Sequence, residues 1–86
     1  MQIDLHSISL KDAKNIIDTN IEFCIKNNIT TLEIIHGFNN GSKIKNYLNN
    51  SKSLKEKYPE IKDIQSNLIN NGKTTIYFKL KLKGNN

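Results

Sequence analysis

The sequence has 86 residues, which is room for a single domain with a modest core, because a chain this short buries roughly 60 to 65% of the surface that it exposes when unfolded. Its one cysteine excludes an internal disulfide, and the absence of a leader or of an apolar run of ~20 residues leads us to expect a soluble, cytoplasmic protein with no membrane partner. The net charge of +5 comes from thirteen lysines without an arginine, which favours phosphate over base edges as a target, although a compositional bias of the source genome gives the same charge.

The first half of the sequence predicts a strand, a helix and a second strand. Residues 2–6 alternate between polar and apolar side chains, as a half-buried strand requires. Ser9 followed by Asp12 is typical of a helix start, and the helix extends to about Asn27. The segment from Ile29 or Thr30 to Ile35 is rich in β-branched residues and completes a βαβ unit. One apolar stripe of the helix packs on the sheet, formed by Ala13, Ile16, Ile17, Ile21, Cys24 and Ile25.

The second half predicts a helix and two further strands. The helix begins at Gly41–Ser42, and Leu54 and Tyr58 extend its apolar side unless residues 49–51 break it before Pro59. A short strand covers residues 61–65, and a turn at residues 70–72 leads to the last strand. One side of that strand faces the core and consists of Thr74, Ile76, Phe78, Leu80 and Leu82.

These elements predict an α/β protein, more closely an α+β two-layer sandwich. The order is βαβαββ, with a mixed four-stranded sheet, both helices on one face and the last strand antiparallel to its neighbour. The other face of the sheet is open. The domain covers residues 1–83, and residues 84–86 form a C-terminal tail.

Two histidines follow the two strands of the predicted βαβ unit. A right-handed crossover brings the carboxyl ends of its parallel strands to the same edge of the sheet, where open α/β sheets bind ligands. His6 and His36 can therefore be neighbours in space. Asp4 lies on the same side of its strand as His6, where its carboxylate can orient the ring or accept a proton. An Asp–His pair that is merely exposed on the solvated face produces the same pattern.

The segment after His36 predicts a phosphate-binding site. Gly37 and Gly41 allow backbone conformations closed to other residues, and the first amides of the helix at Ser42 can hold an oxyanion, with Lys43 and Lys45 beside them. An ordinary tight loop explains the glycines equally well. We predict no bound metal, because no ligands occur at the close spacing of zinc motifs.

The last strand offers a second surface for nucleic acid. Tyr77 can stack on a base while Lys79 and Lys81 follow a phosphate backbone. Lysines also protect exposed sheets from pairing with other chains, and the sequence leaves both interpretations open.

Three segments together resemble the small MutS-related (Smr) domain, namely residues 3–6, 34–42 and 71–77. The first is similar to an L-D-L-H-G motif, with Ser7 in place of the glycine. The second is similar to an H-G-x-G loop, which Asn39 extends here. Lys45 stands where many members of the family have arginine.

The resemblance implies a fold like the C-terminal domain of the third bacterial translation initiation factor, and nucleic-acid binding or endonuclease activity with Asp4, His6, His36 and Gly37 in the site. RNA carries its own 2′-hydroxyl nucleophile, so proton transfers by the two histidines, with Asp4 orienting His6, are enough to cleave it without a cofactor. Nicking of DNA would call for a divalent ion. The alternative is a module that holds RNA, DNA or the ribosome on a lysine-rich open sheet face without cutting.

Overall fold

The structure is a computed structural model that describes residues 1–37, 41–50, 52–67, 69 and 72–80, with residues 41 and 42 described by their backbone alone. It contains four strands and three helices in these ranges. In chain order they are β1 (Gln2–Asp4), α1 (Leu10–Lys26), β2 (Thr31–Ile35), α2 (Gly41–Asn49), α3 (Lys52–Lys57), β3 (Ile61–Ser66) and β4 (Lys73–Phe78).

The four strands form one mixed sheet in the order β1-β2-β4-β3. Strands β1 and β2 are parallel, as the α1 crossover between them requires, and β4 is antiparallel to both of its neighbours, β2 and β3. The predicted α+β sandwich with a mixed four-stranded sheet is confirmed. Because β4 pairs on both sides and is covered on one face, it shows the clearest alternation of buried and exposed residues in the sequence.

The helices cover one face of the sheet and enclose the core. Helix α1 begins where expected, because the Ser9 hydroxyl accepts a hydrogen bond from the Asp12 amide at 3.3 Å. It ends at Lys26, and Asn28 follows with a φ of 57° that reverses the chain. The fully buried side chains come from both layers and include Ile17, Ile21, Leu32, Ile34, Ile44, Leu48 and Ile76.

The structure resolves one open alternative in the second half and corrects one expectation. Helix α2 ends at Asn49, so Leu54 reaches the core from a separate short helix, α3, and Tyr58 reaches it from the position directly after α3. Strand β4 ends at Phe78, and Leu80 is 69% exposed instead of buried. The physical reason is that β2 starts at Thr31 and β3 at Ile61, so the partner strands do not extend far enough to cover Leu80. Leu82 lies outside the described residues.

The strand register orders the open face of the sheet into rows. Asp4, Ile35 and Lys73 lie side by side across β1, β2 and β4, and we call them the upper row. Thr31, Tyr77 and Asp63 lie side by side across β2, β4 and β3 at the opposite end, and we call them the lower row. None of the helices in the described part of the chain has the length and apolar composition that a bilayer crossing requires.

Candidate active site

Asp4 and His6 form a hydrogen-bonded pair at the carboxyl end of β1. The Nδ1 atom of His6 lies 2.6 Å from Oδ1 of Asp4, and the backbone amide of His6 donates to the same oxygen at 3.1 Å. Both hydrogen bonds lower the pKa of the Asp4 carboxyl below its usual value, and the bond to the His6 ring has the larger effect. An ionised Asp4 accepts a hydrogen bond from the Nδ1–H group of His6, which leaves Nε2 of the ring to meet a reactant from solvent. The side chain of His6 is 62% exposed, so the ring is accessible.

His36 occupies a different environment, because its side chain is completely buried. It continues the inward-facing series of Leu32 and Ile34 on the helix-covered side of the sheet. Its Nε2 atom lies 2.9 Å from the buried hydroxyl of Thr74, and its Nδ1 lies 3.1 Å from the carbonyl oxygen of Gly37. Both ring nitrogens are therefore engaged within the protein.

The hydrogen bonds and the burial of His36 together define its protonation state. A carbonyl can only accept, so Nδ1 carries a hydrogen, and in the neutral ring Nε2 accepts from the Thr74 hydroxyl. Burial is the main cause that lowers the pKa of His36, the nearby charge of Lys45 lowers it further, and the Gly37 carbonyl opposes both. His36 is consequently a neutral imidazole that joins the end of β2 to β4.

The backbones of the two histidine segments are in direct contact at Gly37. Gly37 has a φ of 83°, and a Cβ atom placed on it would lie 3.3 Å from Cβ of His6. The carbonyl of Gly72, in the turn before β4, accepts hydrogen bonds from the amides of His36 and Gly37 at 2.8 and 3.1 Å. Three chain segments thus meet here, but only their backbones converge. The ring of His6 is on the solvent side and that of His36 is in the core.

The other predicted site residues are spread over the molecule. Lys43 lines a depression of about 370 Å³ with residues 7–10, directly after His6, and Lys45 is close enough to His36 to affect its pKa. Gly41 and Ser42 are the first two residues of α2 and directly precede Lys43 in the sequence. Tyr77 lies in the lower row, at the far end of the sheet, and Lys79 follows the end of β4. The prediction for Lys81 falls outside the described residues.

The structure adds residues that the sequence interpretation missed. Thr74 bonds the ring of His36, and Lys73 brings a cation into the same row as Asp4, where it pairs with Glu33 at 3.5 Å. The alternation of β4 was the signal available, since it assigned Thr74 to the core and Lys73 to the open face. In the described ranges, no three side chains of histidine, cysteine, aspartate or glutamate come together as a metal-ion ligand set.

The fold and this junction of two strand ends define a class, the open-faced α/β sandwich with a site at the carboxyl edge of its parallel strands. A family model for the Smr domain matches residues 3–79, and the chain belongs to that family. The resemblance of the three motif segments is thereby confirmed. Smr domains are a nuclease-like family associated with nucleic acids.

A solved structure supports the same fold. The crystal structure of the Smr domain of Thermus thermophilus MutS2 is similar to this chain with a TM-score of 0.68 at 18% sequence identity. The match covers 91% of this chain and 96% of that one. No curated protein matches the sequence.

Proposed function

We propose that this Smr domain is a metal-independent endoribonuclease in which the Asp4–His6 pair transfers protons. The hydrogen bond of 2.6 Å between His6 Nδ1 and Asp4 Oδ1 carries the proposal. It fixes the tautomer and orientation of an exposed imidazole, which is the arrangement that a general base needs. Asp4 and His6 both lie within the residues that match the Smr family model.

The reaction follows from the nucleophile that RNA contains. Nε2 of His6 takes the proton of the 2′-hydroxyl, and the 2′-oxygen forms a bond to the adjacent phosphorus. The bond from phosphorus to the 5′-oxygen of the next nucleotide breaks, and that oxygen takes a proton from water. The products are a 2′,3′-cyclic phosphate and a 5′-hydroxyl, and Asp4 stabilises the imidazolium that forms on His6.

His36 supports this reaction by position and not by proton transfer. Its ring is buried and both of its nitrogens have partners within the protein, so it cannot reach a substrate on the solvent side. We therefore revise the initial hypothesis, in which the two imidazoles act as an acid–base pair. His36 instead holds Gly37 against His6 and so keeps the catalytic ring in place.

Cations near the pair favour a phosphate substrate. Lys43 lines the depression that begins at Ser7, and Lys73 lies in the upper row with Asp4. The charge of the Asp4 carboxylate would by itself repel a phosphodiester, and the two lysines offset it. A lysine ammonium can also stabilise the charge that develops on the phosphoryl oxygens.

The test is cleavage of labelled RNA by the wild type, His6→Ala and Asp4→Asn in excess chelator. We expect His6→Ala to lose about 10²- to 10⁴-fold of the rate, which is the usual contribution of one general base. Added imidazole should restore part of the activity of His6→Ala only. The wild-type products should end in a cyclic phosphate. Cleavage that needs a divalent ion and does not change in His6→Ala would refute the mechanism.

The second candidate function is that of a module that binds nucleic acid, including ribosomal RNA, without cutting it. Ser7 in place of the motif glycine, immediately after His6, is the observation that favours it. The same experiment separates the two functions. Wild-type protein that binds RNA, never shortens it, and binds equally well as His6→Ala would select the binding module.

A further inference from the structure

The open face of the sheet contains a second cavity, at the opposite end from the Asp4–His6 pair. It has a volume of about 360 Å³ and is lined by Thr30, Lys62, Asp63, Gln65, Tyr77 and Phe78. Tyr77 is the central member of the lower row, between Thr31 and Asp63. The cavity therefore combines an aromatic ring with polar side chains of the edge strand β3.

The polar side chains of this cavity are held in fixed orientations. The side-chain amide of Gln65 donates to Oδ2 of Asp63 at 2.8 Å, and the amide of Ile64 donates to Oδ1 of Asp63 at 2.9 Å. Both bonds lower the pKa of Asp63, and the bond from Gln65 has the larger effect. The carboxyl of Asp63 is therefore ionised. Gln65 keeps its carbonyl oxygen and one N–H for a ligand.

The charge in the cavity favours an uncharged ligand over a phosphate. Lys62 and Asp63 both line it, and the carboxylate of Asp63 is 44% exposed and pairs with Lys55 at 3.7 Å, so a phosphate that approaches these cations would also meet a repelling anion. An uncharged heterocycle meets no such penalty. It can stack on Tyr77 and hydrogen-bond to the oriented amide of Gln65, as unpaired bases do on protein surfaces.

The distance from the proposed catalytic pair suits one bound strand. Tyr77 pairs with Thr31, whereas Asp4 pairs with Ile35, four residues further along β2. At about 3.3 Å per residue, the two rows are roughly 13 Å apart along β2, and Asp4 on β1 and Tyr77 on β4 are also two strand spacings, roughly 10 Å, apart across the sheet. The two residues are therefore separated by roughly 16 Å, which a few nucleotides span. The exposed face between them is continuous sheet.

We propose that the Tyr77 cavity is a nucleobase subsite, which binds one unpaired base of a single-stranded RNA a few nucleotides from the linkage presented to His6. The identification of the ligand as RNA rests on the proposed function, but base binding in the cavity does not depend on cleavage. The subsite gives the enzyme a preference for unpaired substrate, because a base inside a duplex cannot reach the Tyr77 ring.

The experiment measures binding of a short labelled single-stranded RNA to protein with the His6→Ala substitution, which should slow cleavage about 10²- to 10⁴-fold. In this background, Tyr77→Leu should weaken binding about tenfold or more, in line with the loss of one stacked base. Tyr77→Phe is the matched control and should retain the affinity, since it keeps the ring. Tyrosine fluorescence should be quenched by RNA in the protein with Tyr77 and less so in Tyr77→Phe.

A scan of abasic positions along the same RNA tests the subsite without altering the protein. Removal of the base at one position of the RNA should weaken binding to protein with Tyr77. The same removal should have no further effect on binding to Tyr77→Leu. Equal affinity of Tyr77→Leu and its parent, or a scan in which no position matters, would overturn the proposal. Cleavage by the wild type that is unaffected by His6→Ala, together with a positive scan, would reject the catalytic mechanism and leave the base subsite standing.

Discussion

Burial separates the chemistry of the two histidines, although both follow a strand of the same βαβ unit. The backbones of His6 and Gly37 are in contact, yet the His6 ring points to solvent and the His36 ring lies in the core. An exposed ring beside a carboxylate can exchange protons with a substrate. A buried ring with two internal hydrogen bonds fixes the chain around it. In the proposed function, the same residue type thus serves reaction in one position and architecture in the other.

The burial of His36 predicts a loss of stability in mild acid. The pKa of His36 is lowered in the folded state. Below a pH of about 6.5, His36 therefore becomes protonated in the unfolded chain while it stays neutral in the folded chain. The free energy of unfolding should therefore be highest above this pH and fall as the pH decreases, by up to about 1.4 kcal/mol per pH unit, until His36 protonates in the folded state. Urea unfolding at several pH values between 7.5 and 5.5 measures this change in the free energy of unfolding.

Two matched variants assign this pH dependence to one ring. His36→Gln should unfold at lower urea concentration and lose the contribution between these pH values. His6→Gln should keep it, because the ring of His6 is exposed and contributes no buried imidazole. A pH dependence that survives in His36→Gln and disappears in His6→Gln would contradict the assignment.

Gly37 is the residue at which stability and activity should fall together. Its φ of 83° is unfavourable for a side chain, and an added Cβ would come within 3.3 Å of Cβ of His6. Gly37→Ala should cost about 1–3 kcal/mol of unfolding free energy and displace His6, lowering RNA cleavage as well. The exposed helical substitution Ser53→Ala is the control and should change neither. Cleavage by Gly37→Ala at the wild-type rate would show that this contact does not position His6.

At the scale of the elements, β4 connects the proposed site to the rest of the sheet. Thr74 points inward to His36, and its neighbour Lys73 points outward in the upper row. Because adjacent strands are about 4.8 Å apart, Lys73 and Asp4 have Cα atoms separated by roughly 10 Å, within reach of a lysine side chain and a phosphate. Glu33 holds the ammonium of Lys73 at 3.5 Å.

This geometry predicts opposite effects for the two members of the Lys73–Glu33 ion pair. Lys73→Ala should weaken RNA binding, whereas Glu33→Gln should strengthen it by releasing the ammonium and removing an anion. The pair is partly exposed, so either change should alter the unfolding free energy by less than about 1 kcal/mol. Lys26→Ala, in the last turn of α1, is the control for a general loss of positive charge. Equal effects of Lys26→Ala and Lys73→Ala would mean that only net charge matters.

The elements were predictable where a single local rule determines them. Alternation identified β1 and β4, and the spacing of apolar residues gave the stripe of α1, since each pattern follows from packing one face on a core. The β-branched residues of β2 identified that strand. The length of β4 was overestimated because the pattern continues to Leu82, whereas strand pairing ends with the neighbouring strands. The end of β4 depends on where β2 and β3 begin, and the alternating pattern of β4 does not show this.

The candidate site was predictable in its location but not in the directions of its side chains. Topology indicated that the ends of β1 and β2 meet, and the motifs supplied Asp4, His6, His36 and Gly37. The burial of His36 follows from the inward series of Leu32 and Ile34, which the sequence also contains. The position of His36 at the end of β2 predicts its closeness to His6, whereas the face of β2 that His36 continues determines where its ring lies. The Thr74 partner required the pairing of β2 with β4, which is a long-range property.

At the scale of the whole molecule, positive charge is distributed and not concentrated on the open sheet face. In the described ranges that face carries Asp4, Glu33 and Asp63 together with Lys73, with Lys62 at the Tyr77 cavity, and Glu33 and Lys73 form an ion pair. Lys43 and Lys45 belong to α2, and Lys55 and Lys57 pair with Asp63 and Asp18. The net charge of +5 therefore favours approach of a polyanion in general, while the proposed function assigns its binding to a small number of lysines near Asp4 and His6.

The number of lysines in contact with phosphate sets the salt dependence of RNA binding. If Lys43, Lys45 and Lys73 each neutralise one phosphate of a single strand, the slope of log affinity against log salt concentration should be about −2, from roughly −0.7 per contact. Raising the salt fourfold would then weaken binding about 20-fold. Titration of labelled single-stranded RNA into His6→Ala protein at several salt concentrations measures the slope, and Lys43→Ala should reduce it by about 0.7. Lys26→Ala should leave the slope unchanged, because Lys26 is at the opposite end of α1 from Ser9 and the depression. A slope near zero, or no RNA binding at low salt, would indicate a protein-binding scaffold instead of a nucleic-acid-binding domain.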